Sequence, residues 1–432
     1  MKSIPQGWKY SLLSDFVEKL DAGVSVNAED VSASNGQVGV LKLSCVSKGI
    51  FNPKENKTIL PQEVCKARVS PQKHCIIISR SNTQALVGAS AYISEDYPTL
   101  FLPDTLWQTV YHEGILFSPR WLSYWLQAPS TRRRLGSIAA GTSGSMKKLS
   151  KPVLLSIEVL VPTFEEQEKI AEILSTLDSA IYSVEALISA KTKLKRGLMQ
   201  QLLTGKTRFK EFSETEWKLV HLGDIFRERC ETYADVLKKL QKETPEEGAV
   251  INISLELLSI TAKEGVVRRD SLDKRDTSSE DKSKYLRICP GDIGYNTMRM
   301  WQGVSGLSEL EGIVSPAYTI CTPTEEIDGK FASYLFKYLP VVHLFWRYSQ
   351  GLVDDTLSLK FPHFAQIKVL IPPINEQRRI AAVFVTFDKE IRFLEKKLNA
   401  LRRQKRGLMQ KLLTGKIRVK TADVGNEELV NS

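Results

Sequence analysis

The stretch Pro162-Thr-Phe-Glu-Glu166-Gln167-Glu-Lys-Ile170-Ala171 returns 210 residues later as Pro372-Pro-Ile-Asn-Glu376-Gln377-Arg-Arg-Ile380-Ala381. Both copies also close on nearly the same twelve residues, Lys195-Arg-Gly-Leu-Met-Gln-Gln-Leu-Leu-Thr-Gly-Lys206 and Lys405-Arg-Gly-Leu-Met-Gln-Lys-Leu-Leu-Thr-Gly-Lys416, which differ at one position. The chain therefore contains an internal duplication, and the rest of the sequence is arranged around it.

Apolar residues in each copy recur alternately every four and every three positions. This period is typical of a coiled coil and predicts helices over residues 166–204 and 376–414, each about 58 Å long. Since a domain-sized segment separates the two helices, antiparallel pairing between them is the simpler geometry. The seam residues are Ile170, Leu174, Leu177, Ile181, Val184, Ile188, Leu198 and Leu202 in the first copy and Ile380, Phe384, Phe387, Ile391, Leu394, Leu398, Leu401, Leu408 and Leu412 in the second.

The ends and interiors of these helices carry further signals. The span Thr163–Glu166 predicts a capping box at the start of the first helix. Gly205 and Gly415 stand where a left-handed C-terminal cap is expected. Gly197 and Gly407 lie inside the helices at a cost of about 1 kcal/mol each relative to alanine. Their recurrence in both copies predicts a close backbone approach at these positions.

The overall composition places the chain among soluble globular proteins. Its 432 residues suggest two or three domains. No apolar run reaches transmembrane length, and the first residues lack the apolar core of a signal peptide. Six scattered cysteines favour reduced thiols in a cytoplasmic protein. The net charge of +10 points weakly to a polyanionic partner.

Two domain-sized blocks accompany the repeated helices. In the first block, Val38–Leu43, Cys75–Ser79 and Leu154–Val161 read as strands and Pro119–Leu126 reads as a helix. The second block repeats the landmarks of the first, opening on Trp217 where the first opens on Trp8, but the middles of the blocks have diverged. The predicted division is 1–158 for the first domain, 159–210 for the first spacer helix, 211–368 for the second domain, 369–416 for the second spacer helix, and 417–432 for a polar tail.

No catalytic residue, metal site or cofactor site is predicted. The five histidines lack the spacing of metal ligands, and the motifs for dinucleotide binding and for amino-methyl transfer are absent from the sequence. The turn Thr204–Thr207 looks like the end of a phosphate-binding loop, but Gln200 stands where that loop requires glycine.

A variable block followed by a helix that begins with Glu-Gln occurs twice along the chain. This arrangement resembles that of the specificity subunit of type I DNA restriction–modification enzymes. The residues that carry the resemblance, which covers essentially the whole chain, are Pro162, Glu166, Gln167 and Ile170, their copies Pro372, Glu376, Gln377 and Ile380, the two Leu-Leu-Thr-Gly-Lys endings, the openings at Trp8 and Trp217, and the turn Gly291-Asp292-Ile293. The resemblance implies an α/β fold of the α+β kind. Two similar target-recognition domains would be separated by two long conserved helices that form an antiparallel coiled coil.

The resemblance also implies partners and a division of labour. Each domain would read one half of an interrupted site in double-stranded DNA. Two modification subunits would methylate adenine with S-adenosylmethionine, and restriction subunits would translocate and cut DNA with ATP. The chain itself would be non-catalytic, would bind no cofactor or membrane, and would work in the cytoplasm. One departure is that Lys73-His74 stands in the first block where the second has Gly291-Asp292.

Candidate DNA-binding residues are polar, basic or aromatic positions on predicted loops and helix faces. They are Arg80, Ser81, Asn82, Arg132, Arg133, Arg134 and Lys147 in the first block and Arg268, Arg269, Tyr295, Asn296, Arg299 and Trp301 in the second, with the loop Gly141–Lys148 and the pair Lys274-Arg275 nearby. A solvated surface charge or a packed aromatic ring is an equally weighted alternative for each.

The repeated helices carry a second set of candidates, for helix pairing and partner docking. These are Glu166, Gln167, Ile170, Leu174, Ile181 and Gly197 in the first copy and Glu376, Gln377, Ile380, Ile391 and Gly407 in the second. The basic stretches Lys191–Lys210 and Lys396–Lys420 fit either a solvated helix face or contact with a DNA backbone or a methylase subunit.

Two other classes of protein remain alternatives at this point. A coiled-coil scaffold without DNA readout would explain the helices but not two diverged domains on one frame. A self-sufficient methyltransferase would need the cofactor motifs that the sequence lacks.

Overall fold

The computed structural model describes residues 4–34, 36–141, 146–243, 255–272, 279–353 and 356–420. The chain forms two compact units, one of Met1–Glu185 with Lys396–Ser432 and the other of Ala186–Glu395. Each long helix therefore contributes its first half to one unit and its second half to the other.

The first unit contains a mixed α+β domain. Its strands are β1 (Lys9–Leu12), β2 (Val17–Ala22), β3 (Ala28–Glu29), β4 (Gly39–Leu41), β5 (Asn56–Ile59), β6 (Ile76–Ser79), β7 (Ser81–Asn82), β8 (Ser90–Tyr92), β9 (Leu100–Phe101), β10 (Leu106–Tyr111), β11 (Lys147–Lys148) and β12 (Glu158–Val161). Its helices are α1 (Pro119–Gln127), α2 (Pro129–Ile138), α3 (Lys151–Leu155) and the first half of α4 (Phe164–Leu202).

The first domain is built on two four-stranded sheets. One has the order β2-β10-β6-β8 with all neighbours antiparallel, and the other has the order β3-β5-β4-β9 with a parallel β4–β9 pair. Strand β1 pairs with β12, which leads directly into α4. The main core includes Trp8, Trp121 and Ile170 and extends onto Met409 and Leu412 of the second long helix, so the domain and the helices share one core.

The second unit repeats this plan. Its strands are β13 (Lys218–His221), β14 (Phe226–Glu228), β15 (Leu258–Thr261), β16 (Gly265–Arg268), β17 (Leu286–Ile288), β18 (Ile293–Asn296), β19 (Ser305–Leu307), β20 (Gly312–Val314), β21 (Tyr318–Pro323) and β22 (Lys368–Ile371). Its helices are α5 (Leu222–Ile225), α6 (Tyr233–Glu243), α7 (Gly329–Leu335), α8 (Leu339–Tyr348), α9 (Phe361–Phe364) and the first half of α10 (Ile374–Leu412).

The two units share a frame and differ around it. The sheet β14-β21-β18-β19 matches β2-β10-β6-β8 strand for strand, and the pair β13–β22 matches β1–β12. The turn before the third strand is also shared, because His74 and Gly291 both adopt a left-handed backbone there. In place of the other four-stranded sheet, the second unit has two antiparallel two-stranded sheets, the hairpin β15–β16 and the pair β17–β20.

The long helices match the predicted length but begin two residues earlier. Both α4 and α10 contain 39 residues. Gly205 and Gly415 have φ values of +70° and +68°, so the left-handed caps are confirmed. The predicted strand Leu154–Val161 is wrong in its first half. Ser150 caps the short helix α3 there, and a proline at its start fits the helical backbone.

The apolar seam of α4 also explains a result that sequence reading did not expect. By length and composition alone, α4 is long and apolar enough to cross a membrane. However, Ile170, Leu174, Ile181 and Val184 are buried within the first unit. The same helix carries Asp178, which is ion-paired to α10. These features describe one strand of a coiled coil.

Candidate nucleic-acid interface

A buried glutamate joins three distant segments in the first unit. The Glu166 side chain is 3% exposed. It accepts hydrogen bonds from the Trp8 indole at 2.7 Å and from the Arg418 guanidinium at 2.6 and 3.0 Å. The predicted capping box is therefore only half formed. Thr163 Oγ1 accepts from the Glu166 backbone N–H, while the carboxylate turns to the tryptophan and the arginine.

The second unit contains an equivalent group, in which the two copies of the repeated helix exchange roles. Glu376 accepts hydrogen bonds from the Trp217 indole at 3.1 Å and from Arg208 at 3.0 and 2.6 Å. The hydrogen bond to Glu376 raises the pKa of Arg208. We call each Trp–Glu–Arg group a clamp. In both clamps, the glutamate begins one long helix and the arginine follows the other.

The neighbouring glutamines fasten the recognition domains to the helices. The Gln167 side chain accepts a hydrogen bond from the Ser118 backbone N–H and donates one to the Pro162 carbonyl. Gln377 repeats these bonds with Asp328 and Pro372. Ser118 and Asp328 are the N-caps of α1 and α7, so each glutamine fixes the start of a helix in the adjoining domain.

A second repeated group lies farther along the helices. Asp178 accepts hydrogen bonds from the Tyr124 hydroxyl at 2.8 Å and from Lys405 at 2.5 Å. In the second unit, Asp388 does the same with Tyr334 and Lys195, both at 2.6 Å. Burial and the adjacent carboxylate raise the pKa of both tyrosines.

The order of the ion pairs shows that the helices run antiparallel within each unit. Along α4, Asp178 precedes Glu185, whereas their partners on α10 come in the reverse order, Lys405 after Arg402. In the second unit, Lys191 and Lys195 of α4 pair with Glu390 and Asp388 of α10, again in reverse.

The apolar seam candidates occupy the expected positions, but the helix glycines do not. Ile170, Leu174, Ile181 and Ile380 are buried, and Ile391 is partly buried. A Cβ added at Gly197 or Gly407 would meet no atom of the described residues within 4 Å. The predicted close backbone approach is therefore wrong inside each unit, since the glycine face points away from the paired helix.

In the first unit, the structure brings several DNA-binding candidates to one edge. Asn82 of β7 lies opposite Lys147 of β11, and β7 begins directly after Arg80. Arg80 Nη1 donates to the Asp104 carbonyl at 3.3 Å. Arg133 and Arg134 are exposed on α2. Residues 142–145 of the predicted loop lie outside the described residues.

In the second unit, three candidates share the turn after β18. Asn296 Oδ1 accepts from the Met298 backbone N–H at 3.0 Å. The Trp301 indole donates to the Met298 carbonyl at 3.1 Å, and Arg299 is exposed between them. The other candidates lie at the end of the β15–β16 hairpin, where Arg268 pairs with Glu256 at 2.8 Å and Arg269 Nη1 lies 3.5 Å from Ser259 Oγ. Lys274, Arg275 and residues 421–432 lie outside the described part of the chain.

Two DNA-binding candidates are core residues. Tyr295 is 0% exposed and stacks on Phe364, because its position on β18 points into the sheet's packed face. Ser81 is also buried, on β7. Neither side chain can touch DNA in this structure, so both assignments are wrong as surface contacts.

Sequence reading missed the residues that complete the frame. Arg208 and Arg418 follow the Leu-Leu-Thr-Gly-Lys endings, and Tyr124, Asp178 and Lys195 all have identical residues 210 positions later, Lys405 being the copy of Lys195. The constant offset is the signal that could have identified them. A polar residue repeated on a helix with an apolar seam is a candidate for a buried hydrogen bond.

Comparison with known proteins agrees with this frame. The sequence profile described as "Type I restriction modification DNA specificity domain" matches residues 5–191 and 308–403. A protein of Methanocaldococcus jannaschii provisionally named the type I restriction enzyme MjaX specificity subunit is 24% identical over 97% of this chain and 95% of its own. The type I restriction enzyme MjaVIII specificity subunit of the same organism is 26% identical over 63% of this chain and 65% of its own.

Solved structures show the same fold. The S subunit of a type I restriction-modification system from M. genitalium superposes with a TM-score of 0.60 at 15% identity, covering 95% of this chain and 97% of that one. A chain from a study of complex assembly and conformational transition of the type I R-M system gives 0.50 at 14% identity, covering 96% and 100%. The expected class, two recognition domains with long coiled-coil helices, is confirmed. With the profile matched over more than half of its length, the chain belongs to the type I restriction modification DNA specificity family.

Proposed function

We propose that the chain reads an interrupted double-stranded DNA site through two domains, residues 1–158 and 211–368. The spacer helices, 159–210 and 369–416, would hold the domains, and residues 417–432 would be a polar tail. As a specificity subunit the chain is non-catalytic, and the methylase and nuclease chemistry belongs to partner subunits. Two modification subunits would methylate adenine at the chosen site, and restriction subunits would cut DNA with ATP in the cytoplasm.

This proposal rests on a contrast between the structural groups that occur in both units and the elements beside them, which differ. The clamp, the Tyr–Asp–Lys group and the four-stranded sheet β2-β10-β6-β8 each have a matching copy in the second unit. The elements beside them, one four-stranded sheet in the first unit and two two-stranded sheets in the second, do not match. A repeated support with unlike loops fits two readers of unlike half-sites.

The remaining DNA-binding candidates are distributed accordingly. Arg80, Asn82 and Lys147 would read or position the first half-site, with Arg133 and Arg134 on neighbouring phosphates. Asn296, Arg299 and Trp301 would serve the second, since they share the turn at the end of β18, where Arg299 is exposed. Arginine and asparagine side chains are suited to bidentate contacts with guanine and adenine edges.

Methylation mapping tests the proposal. The chain would be expressed with its modification subunits in a host lacking other adenine methylases, and the host genome would be sequenced for methyladenine. We expect one two-part motif with a fixed spacer. Replacing residues 211–368 by the second domain of a related chain should change one half of the motif and leave the other unchanged. Methylation that ignores the replacement, or a motif without two parts, would contradict the proposal.

A further inference from the structure

A basic cleft of about 1150 Å³ lies in the first unit, between the recognition domain and the helix pair. The carboxylates in its lining are Asp178 and Glu185, and each is already paired with a basic residue of α10. The cations of the lining, apart from Arg132 discussed below, are Lys48, Lys396, Arg402, Arg403, Lys405 and Arg406.

Four of these cations carry uncompensated charge. Lys48, Lys396, Arg403 and Arg406 are exposed, and they form no hydrogen bond or ion pair with the part of the chain that the structure describes. Like charges gathered in a cleft repel one another and raise the local concentration of anions. The cleft is therefore complementary to a polyanion.

The floor of the cleft has two buried donors without acceptors. Arg132 Nη1 and Ser90 Oγ are both buried and have no hydrogen-bond partner among the described residues, and both residues line the cleft. Ser90 is 1% exposed. The other end of the Arg132 guanidinium is fixed, because Nη2 donates to the Ala85 carbonyl at 3.1 Å. Leaving such donors unpaired costs about 1–3 kcal/mol each, so an anionic oxygen that reached either donor would remove that cost.

The second unit shows that the frame does not require this arginine. A Cβ at Gly88 would lie 3.1 Å from Arg132 Nη1, and a Cβ at the equivalent Gly303 would lie 3.1 Å from Val342 Cγ2. Val342 thus occupies in the second unit the place that Arg132 occupies in the first. Burial away from water lowers the pKa of Arg132. One of the uncompensated helix cations also differs between the copies. Lys396 corresponds to Ala186, whereas Arg403 and Arg406 correspond to the basic residues Lys193 and Arg196.

We propose that this cleft binds the DNA backbone beside the half-site read by the first domain, with Arg132 donating to a phosphate oxygen. The inference rests on the proposed function and deepens it. A phosphodiester strand supplies the repeated negative charge that the cleft complements and carries no base information there. The second unit has Val342 and Ala186 at the positions of Arg132 and Lys396, so we expect the chain to hold the DNA backbone more strongly beside the first half-site.

The test uses the full chain in complex with its modification subunits and a duplex carrying its mapped site. The exposed pair Arg403 and Arg406 is changed in the variant R403Q/R406Q. We expect the slope of log affinity against log salt to fall by about two, with the same loss of affinity on unrelated DNA. The matched control, K193Q/R196Q, changes the equivalent residues of the first copy and should leave the slope unchanged.

The floor is tested by Arg132→Val, which introduces the side-chain type of the second unit. This variant should lower the slope by about one without lowering the melting temperature. Phosphate ethylation interference on the R403Q/R406Q complex gives a readout that does not depend on the packing of Arg132. Interference should disappear at phosphates beside the first half-site and persist beside the second.

Three results would overturn the inference. An equal slope change in both double variants would indicate a diffuse positive field. An unchanged slope together with loss of a modification subunit would indicate that the cleft docks a protein. A rise in melting temperature with inorganic phosphate, at an unchanged DNA slope, would indicate a site for free phosphate. In all three cases the wild-type complex could still methylate a two-part motif, so these failures are distinct from failure of the proposed function.

Discussion

The Arg418 guanidinium binds both oxygens of the Glu166 carboxylate across 252 residues of sequence. Arg208 and Glu376 form the equivalent pair in the other unit across 168 residues. Because an arginine that follows one helix is bound by a glutamate that begins the other, each unit needs both copies of the repeat. This requirement explains why the two ends of the repeat have been kept while the recognition blocks have diverged.

The clamps should be major contributors to stability. We expect Glu166→Ala to lower the free energy of unfolding by about 2–3 kcal/mol, since it leaves an arginine and a buried indole N–H without their acceptor. Glu376→Ala should cost at least as much, because the Arg208 side chain is 20% exposed and the Arg418 side chain 41%. Urea unfolding of the full chain measures both.

Glu165→Ala provides a control for this experiment. Glu165 is the exposed neighbour of Glu166, and no described residue hydrogen-bonds to its side chain, so its loss should change stability by less than about 0.5 kcal/mol. Equal effects at Glu165 and Glu166 would mean that the clamp adds little.

We expect that the chain can be closed between residues 420 and 4 and opened instead at the connection between its two halves. In the first unit, Gly415 packs against Pro5 and Trp8, just as Gly205 packs against Trp217 in the second, where the chain is continuous. A permutant that joins residue 420 to residue 4 through a short linker and opens between Ser213 and Glu214 should therefore fold and direct methylation to the same motif. A permutant opened within α4 serves as the control and should lose stability. Equal failure of both permutants would contradict the geometry.

Base readout and phosphate contact should be separable by mutation. Arg299→Ala should cost about 1–3 kcal/mol on the cognate site and relax only its second half. Arg133→Ala should weaken binding to all sequences alike and lower the salt slope by about one. Binding titrations at several salt concentrations, on cognate and unrelated duplexes, measure both effects. If Arg299→Ala weakened both duplexes equally, Arg299 would be a phosphate contact or a fold residue.

A half-buried lysine should give the second unit a distinctive pH dependence. Burial lowers the pKa of Lys337 to about 8, while its Nζ donates to the Ala262 carbonyl. Between about pH 8 and 10.5, the unfolded chain therefore binds more protons at this site, and its contribution to stability rises with pH.

Replacing this lysine should remove the free-energy cost of burying its charge. We expect Lys337→Met to stabilise the chain at pH 7 by up to about 2 kcal/mol and to have a smaller effect at pH 9.5. Thermal melts at the two pH values measure the difference, with the exposed Lys330→Met as control. A gain that is the same at both pH values would show that Lys337 is not desolvated.

The frame could be predicted from the sequence because it depends on periodicity and repetition. The step of four and three residues along Ile170, Leu174, Leu177 and Ile181 is set by helix geometry, and the constant offset carries the result to the second copy. The direction of pairing followed from the intervening domain and is confirmed by ion pairs such as Lys405 with Asp178.

The site was harder to predict because sequence does not tell which face a loop residue presents. Tyr295 lies near the end of strand β18, as Arg80 follows strand β6, yet Tyr295 points into the core and is fully buried. The clamp escaped prediction for a related reason. Glu166 fits a local capping box, and only tertiary structure brings Trp8 and Arg418 within hydrogen-bond distance of its carboxylate.

The central claim is that each unit is completed by the opposite copy of the repeat, and a half-length chain tests it most directly. Residues 1–210 contain Glu166 and Asp178 together with Arg208 and Lys195, which are the equivalents of their partners Arg418 and Lys405. Two such fragments should therefore form every frame contact between them, as a two-fold symmetric dimer. With modification subunits, the dimer should methylate an interrupted palindrome made of the first half-site twice. Sedimentation at micromolar concentration and methylation mapping should show a dimer and a palindrome, whereas a monomer, or a fragment that keeps the parent motif, would contradict the account.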